Sequence, residues 1–466
     1  MAGRGTAFAR RALCAASFLF VTASSRAGAQ TTLRAAVDPG PRTGAAAAGD
    51  PVAGLTSSQR AAFEAGKEVF EESEGVGEGL GPRFNAESCG ACHSQPASGG
   101  SSPATNPQVA SATASGARNA VPSFIRSDGP VREVRFKYHG DGTRDGGVHA
   151  LYVVNGRVDS TGDATPCGIA QEDFESAASA GNAIFRIPTP IFGAGLIEQI
   201  PDSAIVANAD SGTTRKSARG IRGRPSRIRN DSGTTNVNGN DGTVARFGWK
   251  AQNKSLLLFS GEAYNVEMGI SNELFPTERD ETATCQFAPT PNDVTDTDAS
   301  GADGRNDVEA FALYMRFLAP PAASTTAPGG STSIANGRTL FSQIGCADCH
   351  TPRLRTGNAT VEALRNQSVR LYSDLLLHNM GPGLADDVVQ AQAGPDEFRT
   401  APLWGLGQRI FFLHDGRTSD LREAIRQHRS AADSHFAASE ANTVVGAYQA
   451  LSERDKQDLL NFLRSL

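Results

Sequence analysis

Two short frames repeat in this 466-residue chain: Cys89-Gly90-Ala91-Cys92-His93 and Cys346-Ala347-Asp348-Cys349-His350. Two thiols three positions apart share one helical turn, and each can form a thioether with one vinyl group of a haem. The adjoining histidine then presents its imidazole to the iron from the same side. Zinc is the rival for C-x-x-C, but a four-cysteine zinc site keeps its pairs about 15–20 residues apart. Here more than half the chain separates them. A thioredoxin-like redox motif needs a βαβ setting, and neither frame has one. The frames predict two covalently bound haem c groups. Cys89, Cys92, Cys346 and Cys349 would carry the thioethers, and His93 and His350 would bind iron.

The elements around the frames also repeat. The run from Ser57 to Phe70 and the run from Ala335 to Phe341 both contain Gly-basic-x-apolar-Phe on a helical period. Each leads through a loop into C-x-x-C-H. Each unit also has a closing helix: Val308 to Leu318, ending at Pro320-Pro321, and Asp455 to Leu466. Opening helix, haem loop and closing helix, twice over, resemble the cytochrome c fold. The expected fold class is mainly α: two cytochrome c-like domains, the first with a large β-containing insertion. The domains are expected at 55–320 and 331–466, with a linker over 319–333 rich in Ala, Pro, Gly, Ser and Thr. The first is about twice as long as the second. Its extra length reads as strand at Arg132 to Tyr138, His149 to Val154 and Leu256 to Phe259. Stretches 96–120 and 210–243 read as polar loops.

Residues 1–29 read as a secretion signal: Arg4, Arg10 and Arg11, a short apolar run from Leu13 to Val21, and an Ala27-Gly28-Ala29 cleavage site. Cys14 leaves with it. Residues 30–54 read as a flexible lead-in. The product is expected to be periplasmic or secreted. There disulfides persist, so the two remaining cysteines, Cys167 and Cys285, read as a pair; the alternative is two free thiols. Net charge is −6, or −10 without the four arginines of 1–29. Nucleic acid and anionic membrane are therefore not expected partners. No later run approaches the roughly 18 apolar residues of a membrane span, so no integral span is expected.

Candidates for the second axial ligand of either iron are His139, His149, His378, His414, His428, His435, Met268, Met315 and Met380. Leu421, Ala424, Ile425 and His428 fall on one helical stripe behind a Ser419 or Asp420 cap. That aims His428 at the interior, as a ligand or as a core histidine on a carbonyl. Met380 is the competitor, though a loop packing role suits it, and Met315 reads as core. Asp296 to Gly301 with Asp307 has some calcium-loop character, but Pro289 and Pro291 leave no incoming helix. An acidic loop capping the Val308 helix is the expected reading.

The layout resembles the di-haem oxidoreductase family, peroxidase- or thiol-oxidoreductase-like proteins related to bacterial di-haem cytochrome c peroxidases and the MauG group. The resemblance rests on Phe84 to His93, Ile191 to Pro201, Arg246 to Ala251, Cys349 to Pro352, Leu375 to Leu384, Pro402 to Gly407 and Phe412 to Arg417. It implies that His428 is the second ligand of the C-terminal haem. Family members usually follow that histidine with Gly-Gly-Glu-Ala; here Arg429-Ser430-Ala431-Ala432-Asp433 follows. It also implies a reactive N-terminal haem on His93 and an electron-storing C-terminal haem. An open iron suits oxygen chemistry and a bis-histidine iron suits electron transfer. O–O cleavage needs a proton-transfer group, for which Glu198 and Glu267 are candidates. Trp249 and Trp404 are candidates for an aromatic bridge between the haems, or simply core.

The expected function is an exported di-haem redox enzyme, reducing peroxide or oxidising a substrate at the N-terminal haem. Its partners would be a periplasmic electron donor or acceptor and a small oxidant such as hydrogen peroxide or dioxygen. The alternative is a non-catalytic electron-transfer cytochrome. The long insertion favours the enzyme, because a carrier needs no such addition around one haem.

Overall fold

The computed structural model describes residues 1–4, 35–228, 244–298 and 304–466. The expected signal lies almost wholly outside the described residues, as do residues 229–243 and 299–303; the described part of the stretch expected as a polar loop over 210–243 is partly helical, at Thr213–Ala218. The fold is mainly α-helical with short two- and three-stranded sheets. No helix among the described residues is long and apolar enough to cross a membrane.

Two helix pairs dominate. The first joins α1 (Ser57–Glu71) to α3 (Asp307–Phe317). Helix α1 starts at a reciprocal cap: Thr56 Oγ1 accepts from the Gln59 amide, and the Gln59 side chain accepts from the Thr56 amide. It buries Phe63, Gly66 and Phe70, spaced i, i+3, i+7. The second joins α4 (Gly330–Ile344) to α6 (Glu453–Ser465). Helix α4 buries Ile334, Gly337 and Phe341 at the same spacing. Phe341 packs edge-on against Phe462, centroids 5.4 Å apart. Each of these rings, nearly excluded from water, contributes about 1.5–3 kcal/mol.

Both crossings turn on glycine. A Cβ on Gly66 would collide with the Ala310 carbonyl oxygen, and one on Gly337 with that of Asp458. The shared Gly-basic-x-apolar-Phe pattern thus has a packing cause: bare backbone lets the closing helix approach, and the Phe one turn later fills the space beside it.

The insertion carries a three-stranded antiparallel sheet. Strand β1 (Glu133–Phe136) lies between β2 (Val148–His149) and β3 (Ala183–Arg186). The expected strand from His149 to Val154 is split, because Tyr152–Val153 pairs instead with Arg83–Phe84. The expected strand at Leu256 to Phe259 is a helix, the first turn of α2 (Leu256–Met268). Ser255 caps it by accepting from the Leu258 amide, and Gly269 ends it in the left-handed conformation. Part of the expected 319–333 linker is also helical, since α4 begins at Gly330 and its inward face packs on α6. Cys167 and Cys285 form a disulfide across 118 positions, both buried.

Within the stretch expected as a lead-in, residues 36–54 run along the protein as a strap. Asp38 pairs with buried Arg464 of α6 at 2.7 Å, and the Val52 amide donates to the Phe317 carbonyl. Further on, β4 (Leu377–Asn379) pairs antiparallel with β5 (Glu397–Arg399), setting His378 opposite Phe398. Helix α5 (Leu421–Gln427) follows, capped by Asp420 and ending at His428.

Candidate functional site

The first C-x-x-C-H frame makes a single helical turn, Cys89–Cys92, at the wall of a cavity also lined by Phe70, Trp249 and Glu267. His93 lines it with Nδ1 3.0 Å from the Gly100 carbonyl. No hydrogen bond to its Nε2 occurs among the described residues. A backbone carbonyl on one ring nitrogen is the support a metal-binding histidine needs, because it fixes the tautomer that leaves the other nitrogen free. Burial pushes His93 down to about 4, so the ring is neutral. Burial also pushes the Cys89 thiol up to about 12 and raises Cys92, so neither is a reactive thiolate.

Helix α2 and the insertion sheet supply the polar wall. Glu267 faces this cavity, accepting from Asn85 Nδ2 at 2.8 Å. Desolvation, then the neighbouring Glu133 carboxylate, pushes Glu267 up to about 8. Glu133 lies next to it on β1, and Arg135 bonds Glu133. Burial opposes ionisation of Glu133, yet Arg135 and Arg186 hold its pKa below the usual value. The pair therefore divides its roles: Glu133 ionised, Glu267 carrying a proton. Glu198 is elsewhere. It is fully buried, accepting from the Leu256 amide at 2.8 Å and from Arg316 Nε at 3.0 Å, and so ties α2 to α3. Met268 and Met315 also line the first cavity, Met268 Sδ lying 3.8 Å from Cys89 Sγ.

The second frame opens with the turn Cys346–Asp348 and borders a second, more apolar cavity. His350 repeats the arrangement of His93, with Nδ1 3.0 Å from the Tyr372 carbonyl. Burial, then the nearby His428, pushes it down to about 4. Leu421, Ala424, Ile425 and His428 all line this cavity, so the stripe read from the sequence faces it. His428 Nδ1 lies 2.7 Å from the Ala424 carbonyl, and burial lowers its pKa. The unusual residues after His428 have a local role: Ser430 Oγ donates to the Met380 carbonyl at 3.1 Å.

The other candidates separate by their partners. His378 lines the second cavity, but its ring nitrogens lie 2.9 Å from Asp374 and 2.8 Å from Glu440. Burial works against its charge, while the Asp374 carboxylate raises its pKa. A protonated ring with both nitrogens engaged has no lone pair for iron. His414 stacks on Phe398 at 4.4 Å, and Met380 lines the same cavity. His149 is bonded to Asp145 and Glu172 at 2.7 Å each, His139 lies 3.3 Å from Asp145, and His435 is exposed. None of these three lines either cavity. Asp307 accepts from the Tyr264 hydroxyl at 2.9 Å, and Asn306 caps α3.

Trp249 lines both cavities. Its Nε1 donates to the Ile187 carbonyl at 3.0 Å, and its own carbonyl accepts from the Arg399 amide at 2.9 Å, so both sheets hold it. Trp404 lines neither and packs beside Gly193. The cavity-lining Glu133, Arg135, Arg399 and Arg409 were not among the residues read from sequence. Only the strand assignment around Arg132 pointed towards two of them.

Two cavities, each walled by a C-x-x-C-H frame whose neutral histidine is held by a backbone carbonyl, fit a di-haem class of protein. The family described as "Di-haem oxidoreductase, putative peroxidase" matches residues 139–466, most of the chain, and the protein belongs to that family. The match begins beyond the first C-x-x-C-H frame. No curated protein sequence matches the chain. Similar solved structures include hydrazine synthase of Kuenenia stuttgartiensis, at 16% identity and TM-score 0.25, covering 45% of this chain and 60% of that one. A MauG-like protein associated with microbial copper homeostasis matches at 19% identity and TM-score 0.24, covering 34% and 52%. The diheme peroxidase BthA of Burkholderia thailandensis matches at 17% identity and TM-score 0.29, covering 47% and 65%. The chain thus spans less than two thirds of the length of each of these three.

Proposed function

We propose that the protein is an exported di-haem c-type enzyme that reduces peroxide, or oxidises a substrate with a small oxidant, at its N-terminal haem. Residues 1–29 would direct export, and 55–320 and 331–466 would form the two cytochrome c-like domains. Cys89 and Cys92 would hold one haem and Cys346 and Cys349 the other, with His93 and His350 on the irons. The observation that carries this reading is the inequality of the two cavities. The second contains another supported, neutral imidazole, His428, ready to close an iron. The first contains no second histidine among the described residues, but has the Glu267 carboxyl, whose pKa burial pushes up to about 8.

Haem bound in the first cavity would supply the redox chemistry and the open coordination position that an O–O bond requires. The chain supplies the proton. Glu267 can give its proton to a leaving oxygen and recover one from the same face of the cavity. Glu133 acts as a positioning residue: after burial, its charge helps keep Glu267 protonated near neutral pH, while Arg135 keeps Glu133 ionised. In the second cavity the His350 and His428 imidazoles exclude substrate and suit electron storage. Trp249 gives the two cavities a shared aromatic wall.

Peroxide consumption by the reduced holoprotein tests the assignment. Glu267→Gln keeps the shape and the hydrogen bond to Asn85 but cannot release a proton. A loss of about 10²–10⁴-fold is expected, with haem content unchanged. Full activity in that variant contradicts the role of Glu267, and a wild-type protein without covalent haem contradicts the whole reading.

A further inference from the structure

We infer that Arg399 and Arg409 form the carboxylate site of the second cavity, and that they hold the propionates of the C-terminal haem. The inference rests on the di-haem reading above.

The observation is one buried and one half-buried arginine, Arg399 and Arg409, neither with a carboxylate partner among the described residues. Six arginines among the described residues are buried. Five have a carboxylate: Arg135 has Glu133, Arg157 has Glu87, Arg186 has Asp386, Arg246 has Asp202 and Arg464 has Asp38. Arg399 is the exception. At 5% exposure it makes bonds only to the Gly248 and Thr400 carbonyls, at 2.9 and 3.2 Å. Arg409 lines the same cavity and has no carboxylate either. Its Nε donates to the Phe411 carbonyl at 3.1 Å, while its Nη2 is buried with no acceptor.

A guanidinium cannot shed its proton at neutral pH, so burial without a partner is costly. Burial pushes both arginines down to about 10, and both border Trp249, whose carbonyl accepts from the Arg399 amide at 2.9 Å. Asp374, the carboxylate whose charge reaches Arg399, is already committed to His378 at 2.9 Å. The chain has therefore placed two fork-shaped donors at one cavity and left their anions to be supplied by what the cavity holds. A c-type haem brings two carboxylates. They leave the ring from the edge away from the vinyl carbons, so the Cys346–Cys349 attachment cannot neutralise them and a separate element must. Guanidinium is the group whose geometry matches a carboxylate in two places. Arg409 also lies 5.7 Å from the centre of the Trp249 ring, so it borders the wall shared with the first cavity.

The test is the midpoint potential of the C-terminal haem, followed optically in Arg399→Gln, Arg409→Gln and Arg409→Lys holoprotein. Reduction adds negative charge to the site, so a nearby cation favours it. Both glutamine variants should keep covalent haem, with a lowered potential and shifted propionate-bending bands in the resonance Raman spectrum. The lysine variant should stay near wild type. Unchanged potentials and bands in both glutamine variants overturn the inference. So does a wild-type potential that moves on adding acetate or phosphate, since the pair is then open to a free anion. If the variants do not accumulate, the wild-type Raman bands decide: the position of hydrogen-bonded propionates supports the assignment, and that of solvent-exposed propionates overturns it. Absence of covalent haem in the wild type is a different failure, that of the di-haem reading.

Discussion

His350 and His428 line one cavity, and each has its Nδ1 on a backbone carbonyl, Tyr372 at 3.0 Å and Ala424 at 2.7 Å. Two neutral imidazoles whose Nε2 atoms make no hydrogen bond among the described residues are what a closed, low-spin iron needs.

His428→Ala should therefore leave the C-terminal haem high-spin and able to bind an added ligand. His378→Ala should not, because Asp374 and Glu440 already engage both nitrogens of that ring. Met380→Leu keeps the volume and removes the sulfur. If the spectrum changes with Met380→Leu and not with His428→Ala, the haem is His/Met and the assignment is wrong.

The raised pKa of Glu267 makes a pH prediction. In the unfolded chain the group ionises near 4.5; in the folded protein it holds its proton to about 8. Its contribution to stability is present below about pH 4.5 and is lost as pH rises towards 8, because the folded state then binds more protons than the unfolded state. Over pH 5–8, Glu267→Gln should flatten the fall in melting temperature, measured calorimetrically against wild type. An unchanged slope would mean that the carboxyl is not held protonated.

The helix crossings should be intolerant of a single methyl group. Gly66→Ala and Gly337→Ala each drive a Cβ into a facing carbonyl oxygen. Each should cost about 1–3 kcal/mol by overpacking, read as a lower denaturation midpoint. Ala substitutions that stabilise would remove the packing explanation of the repeat.

The attachment frames and the faces of the principal helices were readable because they are local patterns. Gly66 and Gly337 share a motif since they share a packing problem, and His428 shows its direction through Leu421, Ala424 and Ile425. The Leu256 run misled, since four apolar residues fit a strand as well as a helix. Its identity lies in the caps, Ser255 and Gly269, at the two ends of a longer segment. Glu198 and Glu267 look alike in sequence. Only tertiary neighbours distinguish a carboxylate bonded to Arg316 from one that faces a cavity beside Glu133. Arg399 and Arg409 were silent for the same reason: an absent counter-ion has no sequence pattern.

The Cys167–Cys285 bridge closes a long loop between the two C-x-x-C-H frames. Replacing both cysteines by Ala should cost about 2–5 kcal/mol and loosen the insertion more than the α4–α6 pair. Hydrogen exchange by mass spectrometry reads this region by region, with faster exchange expected in β1 to β3. Uniform loosening, or free thiols in the folded exported protein, would contradict it.

The central claim is that the two haem sites are unlike, one open at His93 and one closed by His350 and His428. The EPR spectrum of the oxidised holoprotein tests it most directly. One high-spin and one low-spin ferric haem per chain are predicted, with cyanide converting only the high-spin signal. Two low-spin haems, neither of which takes a ligand, would contradict the claim and leave the protein an electron carrier.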